Sequence, residues 1–205
     1  MRRGLLTVMF LVAVTCSSVA QTVDIDGVDA RSNPAEFAKG LSSLDANVRR
    51  RSAEALARLA ATDQRKLVEG YQLQEKNKEV RVALDWALYR MGHADALYRV
   101  VQELDSGRQD QAIGYLSELE SPDALYPFLK RTNNAPRINA GLLKALAHIG
   151  DAQTLELIKP FRESHQQYVA EAAEIAHEEI EKRLSEPAAQ QRARPRTVEK
   201  AADKP

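Results

Sequence analysis

The chain has 205 residues, and its 29 basic and 29 acidic side chains balance to a formal net charge of zero. This balance argues against a general nucleic-acid-binding protein, which needs a basic surplus to displace the counterions of the phosphate backbone. The single cysteine, Cys16, has no partner in the chain for a disulfide, so stability must come from packing alone.

Residues 1–20 have the pattern of a secretory signal peptide. Two arginines precede an apolar run over residues 5–14, and small residues end at Ala20. The run is too short to cross a bilayer as a helix. We therefore predict cleavage after Ala20, a periplasmic or secreted protein, and no transmembrane span after cleavage. A lipid anchor on Cys16 is the weaker alternative, because its neighbours fit the acceptor motif poorly.

The part that remains after cleavage is predicted to be helical through most of its length. Residues 21–33 are polar and lack periodicity, which indicates an extended leader. The first helix is predicted to begin at Pro34 and to point Phe37, Leu41 and Leu44 inward. Apolar positions with a helical period predict nine more helices. They cover residues 44–61, 63–73, 78–91, 95–104, 109–119, 123–131, 136–149, 152–163 and 166–184.

An internal repeat organises these helices. The stretch from Val80 to Leu97 recurs in altered form, with related stretches ending at Leu67, Leu125 and Leu155. The steps between the ends are 30, 28 and 30 residues, a period typical of stacked helical hairpins. One apolar stripe runs along the second helix of the unit. It consists of Val80, Ala83, Leu84, Ala87, Leu88 and Met91, and it returns at Ile138, Gly141, Leu142, Ala145, Leu146 and Ile149.

Residues at the helix ends support these boundaries. Gly92 and Gly150 follow the last apolar positions, where glycine takes a left-handed conformation at no steric cost. Asp63, Ser121 and Asp151 stand where a helix should begin, and their side chains can accept hydrogen bonds from the first free amides. The units are therefore predicted to be helical hairpins.

Two motifs resemble a known family. They are Val-Arg-x-x-Ala-x-x-Ala-Leu-x-x-x-Gly-x-x-x-Ala-Leu at residues 80–97 and Ala-Leu-Ala-His-Ile-Gly-Asp at residues 145–151, and both are similar to the short HEAT-like repeat of the phycocyanobilin-lyase type. The third copy departs from the motif, with Arg108 in place of Val80 and Glu120 in place of Gly92. The resemblance implies an all-α, right-handed α-solenoid of about five HEAT-like hairpins over residues 34–184.

In this family the second helix of each hairpin lines the concave surface, so its exposed positions form columns across the repeats. One column holds Glu54, Trp86, Gly114 and Lys144, and the next holds Arg58, Arg90, Glu118 and His148. Trp86 is expected at the surface because its repeat equivalents are polar or absent; the alternative is that it covers the core of the adjacent repeat. The candidate partner-binding residues are Arg50, Glu54, Arg58, Arg81, Trp86, Tyr89, Arg90, Lys144 and His148.

The sequence gives little support for catalysis. A Glu174 and His177 pair occurs once, whereas a di-iron site needs several such ligands, so we predict no metal and no cofactor. The chain shows no nucleophilic triad and no phosphate-binding loop. An enzyme, metal-dependent or lyase-like as the resemblance allows, is the alternative function. A subunit that stabilises a larger envelope complex is a third possibility.

The prediction that follows is an exported, non-catalytic HEAT-repeat scaffold that binds another protein of the cell envelope through its concave face. Residues 185–205 are rich in Pro, Ala, Gln and charge, which predicts a disordered tail. This tail is either a solvated end or an anchor for an acidic partner or a peptidoglycan-associated surface.

Overall fold

The computed structural model describes residues 33–185. The predicted signal peptide, the leader up to residue 32 and the tail from residue 186 lie outside the described residues. The described part of the chain is all-α, without a strand. Its helices are α1 (Pro34–Gly40), α2 (Ala46–Arg58), α3 (Arg65–Gln74), α4 (Lys78–Arg90), α5 (Ala96–Gln102), α6 (Gln109–Ser117), α7 (Tyr126–Leu129), α8 (Pro136–Ile149), α9 (Ala152–Arg162) and α10 (Gln167–Ser185).

Three short 3₁₀ helices, at Thr62–Gln64, Glu103–Asp105 and Pro122–Ala124, join or extend these helices. The predicted helices are confirmed to within about one turn. Between residues 33 and 185 no helix combines the length and hydropathy that a membrane span requires.

Two of the three predicted caps are confirmed. Asp151 forms a capping box with Thr154, in which each side chain bonds the other residue's main-chain amide. The Ser121 hydroxyl accepts a hydrogen bond at the start of the 3₁₀ turn before α7. Asp63 is an incorrect prediction, because it lies inside a 3₁₀ turn that has no side-chain cap. The chain enters α3 directly from that turn, so no separate cap is required.

The two predicted glycine stops differ. Gly92 has a φ of 91° and confirms the left-handed stop. Gly150 has a φ of −61° and a ψ of 156°, so the left-handed prediction is wrong there. A Cβ on Gly150 would lie 2.5 Å from Cδ1 of Ile180 and 2.6 Å from the carbonyl oxygen of Leu146. Glycine is required at this position because the Leu146 carbonyl of α8 and the Ile180 side chain of α10 both occupy the space of a Cβ.

The even-numbered helices pack against one another in chain order. α2 packs on α4, α6 on α8, and α8 on α10, whereas α4 and α6 approach closely at few positions. The helices α1, α3, α5 and α9 pack against the members of this row. Fully buried leucines, among them Leu56, Leu84 and Leu142, form one continuous apolar core.

Leu44 departs from the predicted inward set. Phe37 and Leu41 are buried as predicted, but Leu44 is 101% exposed. It lies in the connection between α1 and α2, after the end of α1 at Gly40. The periodic spacing of apolar residues therefore extends beyond the C-terminal end of α1, and the prediction that Leu44 points inward is wrong.

Candidate partner-binding face

Six of the nine predicted binding residues lie together where α2, α4 and α6 meet. We refer to a central cluster, which consists of these six and two further residues of α6 and its end. Its members are Arg50, Glu54, Arg58, Trp86, Tyr89, Arg90, Tyr115 and Glu118.

Trp86 forms the base of the cluster and is buried, with 2% of its surface exposed. Its indole stacks on the Tyr115 ring, with centroids 5.7 Å apart and planes 2° apart. Tyr89 stacks on the indole at 5.6 Å, and the Arg90 guanidinium carbon lies 5.8 Å from its centroid. The expectation of a surface tryptophan is therefore wrong, and the alternative, that Trp86 covers the core of the adjacent repeat, agrees with its stacking on Tyr115 of α6. Because the α4 and α6 backbones rarely approach, a large aromatic side chain fills the space between them.

Tyr115 connects three helices of the row. Its hydroxyl donates a hydrogen bond of 2.7 Å to Oε1 of Glu54 on α2 and accepts one of 2.8 Å from Nε2 of Gln111. The same Gln111 nitrogen donates to the carbonyl oxygen of Glu79 on α4 at 2.9 Å. Burial and the nearby Glu54 carboxylate raise the pKa of the Tyr115 hydroxyl. The phenol therefore stays protonated and works as a donor.

Sequence reasoning missed Tyr115. The repeat alignment places it one residue after Gly114, at the position that Ala87 occupies on α4, where a small core residue is expected. One signal could have found it. Tyr115 is an aromatic residue at a repeat position where alanine is expected, and it follows a glycine. The only tryptophan lies one repeat earlier at nearly the same position, which indicates that the two rings pack against each other.

Three arginines of the cluster keep donors unused. Arg50 has a buried Nε without a hydrogen-bond partner within residues 33–185. Arg58 is exposed, and its side chain makes no hydrogen bond or ion pair in the same part of the chain. Arg90 is 3.6 Å from the carboxylate of Glu120, a side chain that is 88% exposed. Guanidinium groups remain charged at all physiological pH values, so this face presents fixed positive charge.

Glu118 lies among these charges. Loss of surrounding water raises the pKa of its carboxyl, and the nearby Glu54 adds to the shift. Arg58 and Arg90 act in the opposite direction. The residue as a whole is exposed, so the carboxyl remains within reach of solvent and of a bound molecule. Charges of both signs are thus grouped over a buried aromatic base.

Three predicted residues do not join the cluster. Arg81 precedes Trp86 by five residues, which places it about 140° away around α4 at about 100° per residue. Its guanidinium donates to the main-chain oxygen of Glu75, at a distance of 2.7 Å. Lys144 and His148 are exposed on α8. Within residues 33–185, neither side chain makes a hydrogen bond or ion pair with the cluster.

The two residues considered for metal binding, Glu174 and His177, each contact a charged side chain of the protein. Glu174 accepts a bidentate pair of hydrogen bonds from Arg162, the shorter of 2.6 Å, and this contact lowers the pKa of the Glu174 carboxyl. His177 lies 3.5 Å from Glu181 on the same helix. The described residues contain no group of three or more His, Cys, Asp or Glu side chains placed to hold a metal ion.

Comparison with known proteins gives little. No family model matches the chain, and no curated protein matches it. The crystal structure of an engineered protein, a target of the Northeast Structural Genomics Consortium, is similar over 73% of this chain and 79% of that chain. The sequence identity is 20% and the TM-score is 0.38, a similarity too weak to carry an inference about fold or function.

Proposed function

We propose that this protein is an exported, non-catalytic HEAT-like scaffold that binds another protein of the cell envelope. In this proposal the hairpins stack as a right-handed α-solenoid, and the even-numbered helices line its concave face. The four copies of the sequence repeat support the stacking, as does the order in which α2, α4, α6, α8 and α10 pack. Export rests on the composition of residues 1–20.

The observation that carries the binding proposal is the central cluster. Arginine, tyrosine and tryptophan are the side chains that contribute most to binding energy at protein interfaces. Here Arg50 and Arg58 make no side-chain hydrogen bond within residues 33–185, although Arg50 lies near the buried Tyr115 and Arg58 lies near Glu118. The cluster is held on helices that share one core, so a partner does not have to order it.

Gly114 provides a way to test the face without disturbing the core. It is exposed on α6, on the same side of the helix as Gln111 and Glu118, at i, i+3 and i+7 spacing. A Cβ added there meets no atom within 4 Å. Gly70 on α3 has the same free space but lies on a helix outside the even-numbered row. The two glycines are therefore a matched pair.

The experiment compares capture by Gly114→Gln and Gly70→Gln. Tagged protein is expressed in its native host, recovered from the envelope fraction, and the bound proteins are identified by mass spectrometry. We expect Gly114→Gln to lose a protein that the unaltered chain and Gly70→Gln both retain, while both variants melt at or above the temperature of the unaltered chain. Equal recovery by both variants would contradict the proposed face.

A further inference from the structure

We propose that the partner presents an acidic segment, with carboxylates at alternate positions of an extended chain, to Arg50, Arg58 and Arg90. This inference rests on the proposed function and specifies the chemistry of its partner. It starts from the unused guanidinium donors of the central cluster.

The positions of the three arginines fit an extended segment. Arg50 and Arg58 are eight residues apart on α2, which places their Cα atoms about 12 Å apart at about 1.5 Å per residue. An extended chain covers this distance in about four residues, and alternate side chains point to the same side. Arg90 adds a third arginine, on α4, and Glu118 lies near both Arg58 and Arg90.

The free guanidinium donors of the cluster favour an acidic ligand. Its three arginines face Glu54, Glu118 and the exposed Glu120, but the Glu54 carboxylate already accepts the Tyr115 hydroxyl and Glu120 approaches only Arg90, at 3.6 Å. Arginine binds carboxylates through two parallel hydrogen bonds, which neither Arg50 nor Arg58 forms within residues 33–185. The aromatic base excludes water beneath the cluster, and a drier environment strengthens such pairs.

A peptide binding assay tests the proposal on the full chain purified from its host. The probe is a fluorescein-labelled peptide of twelve residues that alternates glutamate with serine, and the control peptide has glutamine in place of glutamate. We expect the acidic peptide to bind at low ionic strength, to weaken as salt is added, and to bind more tightly than the glutamine peptide.

Two sets of variants locate the binding. Arg50→Gln, Arg58→Gln and Arg90→Gln together should weaken binding of the acidic peptide by about tenfold or more. The control set, Arg65→Gln, Lys66→Gln and Lys130→Gln, removes equal charge from exposed positions outside the even-numbered helices and should change affinity by less than about twofold.

A third set of variants distinguishes a loss of binding from a loss of folding. Arginine-to-lysine replacement at the same three positions keeps the charge but loses the paired donors, and it should give intermediate affinity. The emission of Trp86, the only tryptophan, reports whether each variant keeps its buried aromatic base.

Several outcomes would overturn the proposal. They are no binding of the acidic peptide at millimolar concentration, equal binding of the glutamine peptide, or equal losses in the two charge-removal sets. Arginine-dependent binding to phosphatidylglycerol vesicles without peptide binding would also overturn it, in favour of a lipid surface. If Gly114→Gln still blocks capture of a protein, only the acidic chemistry fails; if capture is also unaffected, the proposed function fails with it.

Discussion

Two junctions between even-numbered helices are built differently, α8 with α10 and α4 with α6. At the first, the backbones approach closely along the helices. Gly150 leaves room for Ile180, and Arg183 of α10 donates to the carbonyl oxygens of Ala147, His148 and Gly150 at 2.7–2.9 Å. One side chain thus caps the free carbonyls at the end of α8.

At the junction of α4 and α6 the backbones stay apart, and side chains close the space. The stacked rings of Trp86 and Tyr115 fill it, and Gln111 bonds the Glu79 carbonyl across it. The helix α6 belongs to the third repeat, whose sequence departs from the motif. Where small residues allow close packing, contacts between the helix backbones close the junction. Where large polar and aromatic residues replace them, side chains close the junction and charged groups lie beside it.

Truncation of Trp86 tests the α4 and α6 junction most severely. We expect Trp86→Ala to lower the free energy of unfolding by about 4 kcal/mol, because it leaves a cavity between the helices. Tyr98→Ala, at a half-exposed position on α5, is the control and should cost much less. Urea denaturation followed by circular dichroism measures both. A loss below about 1 kcal/mol would contradict the buried position of Trp86.

Overpacking of the α8 and α10 junction should have the next largest effect. Gly150→Ala brings a Cβ against the Leu146 carbonyl and the Ile180 side chain, and we expect a loss of about 2 to 3 kcal/mol. Gly114→Ala is the matched control, and it should raise stability by up to about 1 kcal/mol because its Cβ meets open space. Thermal unfolding measures the pair, and equal effects would show that the junctions do not differ in closeness.

Removal of the Arg183 cap should weaken the same junction. Arg183→Ala leaves three carbonyls at the C-terminal end of α8 without their donor, which we expect to cost about 2 kcal/mol. Its neighbour Lys182 is exposed, so Lys182→Ala should change the unfolding free energy by less than about 0.5 kcal/mol. Hydrogen exchange of the α8 amides would also increase in the Arg183 variant. Similar melting temperatures for the two variants would show that the Arg183 hydrogen bonds do not stabilise the end of α8.

The smallest predicted effect concerns the hydrogen bonds of Tyr115. Tyr115→Phe keeps the ring stacked on Trp86 but removes the hydroxyl that joins Glu54 and Gln111, at an expected cost of about 1 kcal/mol. Tyr168→Phe removes an exposed hydroxyl and serves as the control. A chemical denaturation series resolves such a difference. If Tyr115→Phe were more stable than the unaltered chain, the buried hydroxyl would destabilise the fold, and its hydrogen bonds would not stabilise the junction.

The sequence predicts the helices well because their signal is local. Period, caps such as Asp151, and Gly92 all act within one helix or turn, so they can be recognised without tertiary contacts. The errors arise where distant residues decide. Gly150 is explained by the positions of the Leu146 carbonyl and of Ile180, thirty residues later, and not by its own dihedral angles.

The candidate face was predictable only in part. Repeat alignment places Arg58, Arg90 and Glu118 in one column, and in the structure Arg58 and Arg90 do lie near Glu118. It assigns Trp86 to the surface because the residues at the equivalent repeat positions are polar or absent. The wider spacing of α4 and α6 buries the indole and brings Tyr115 to Glu54 on α2, which the repeat pattern does not encode.

Site-specific photo-crosslinking tests the central claim most directly. A photoreactive phenylalanine derivative is introduced at position 114 or at position 70 in the full chain, and cells of the native host are irradiated before lysis. We predict an adduct with a single envelope protein from position 114 and none from position 70, because only position 114 lies beside the central cluster. Adducts from position 70 alone, or equally from both positions, would contradict it.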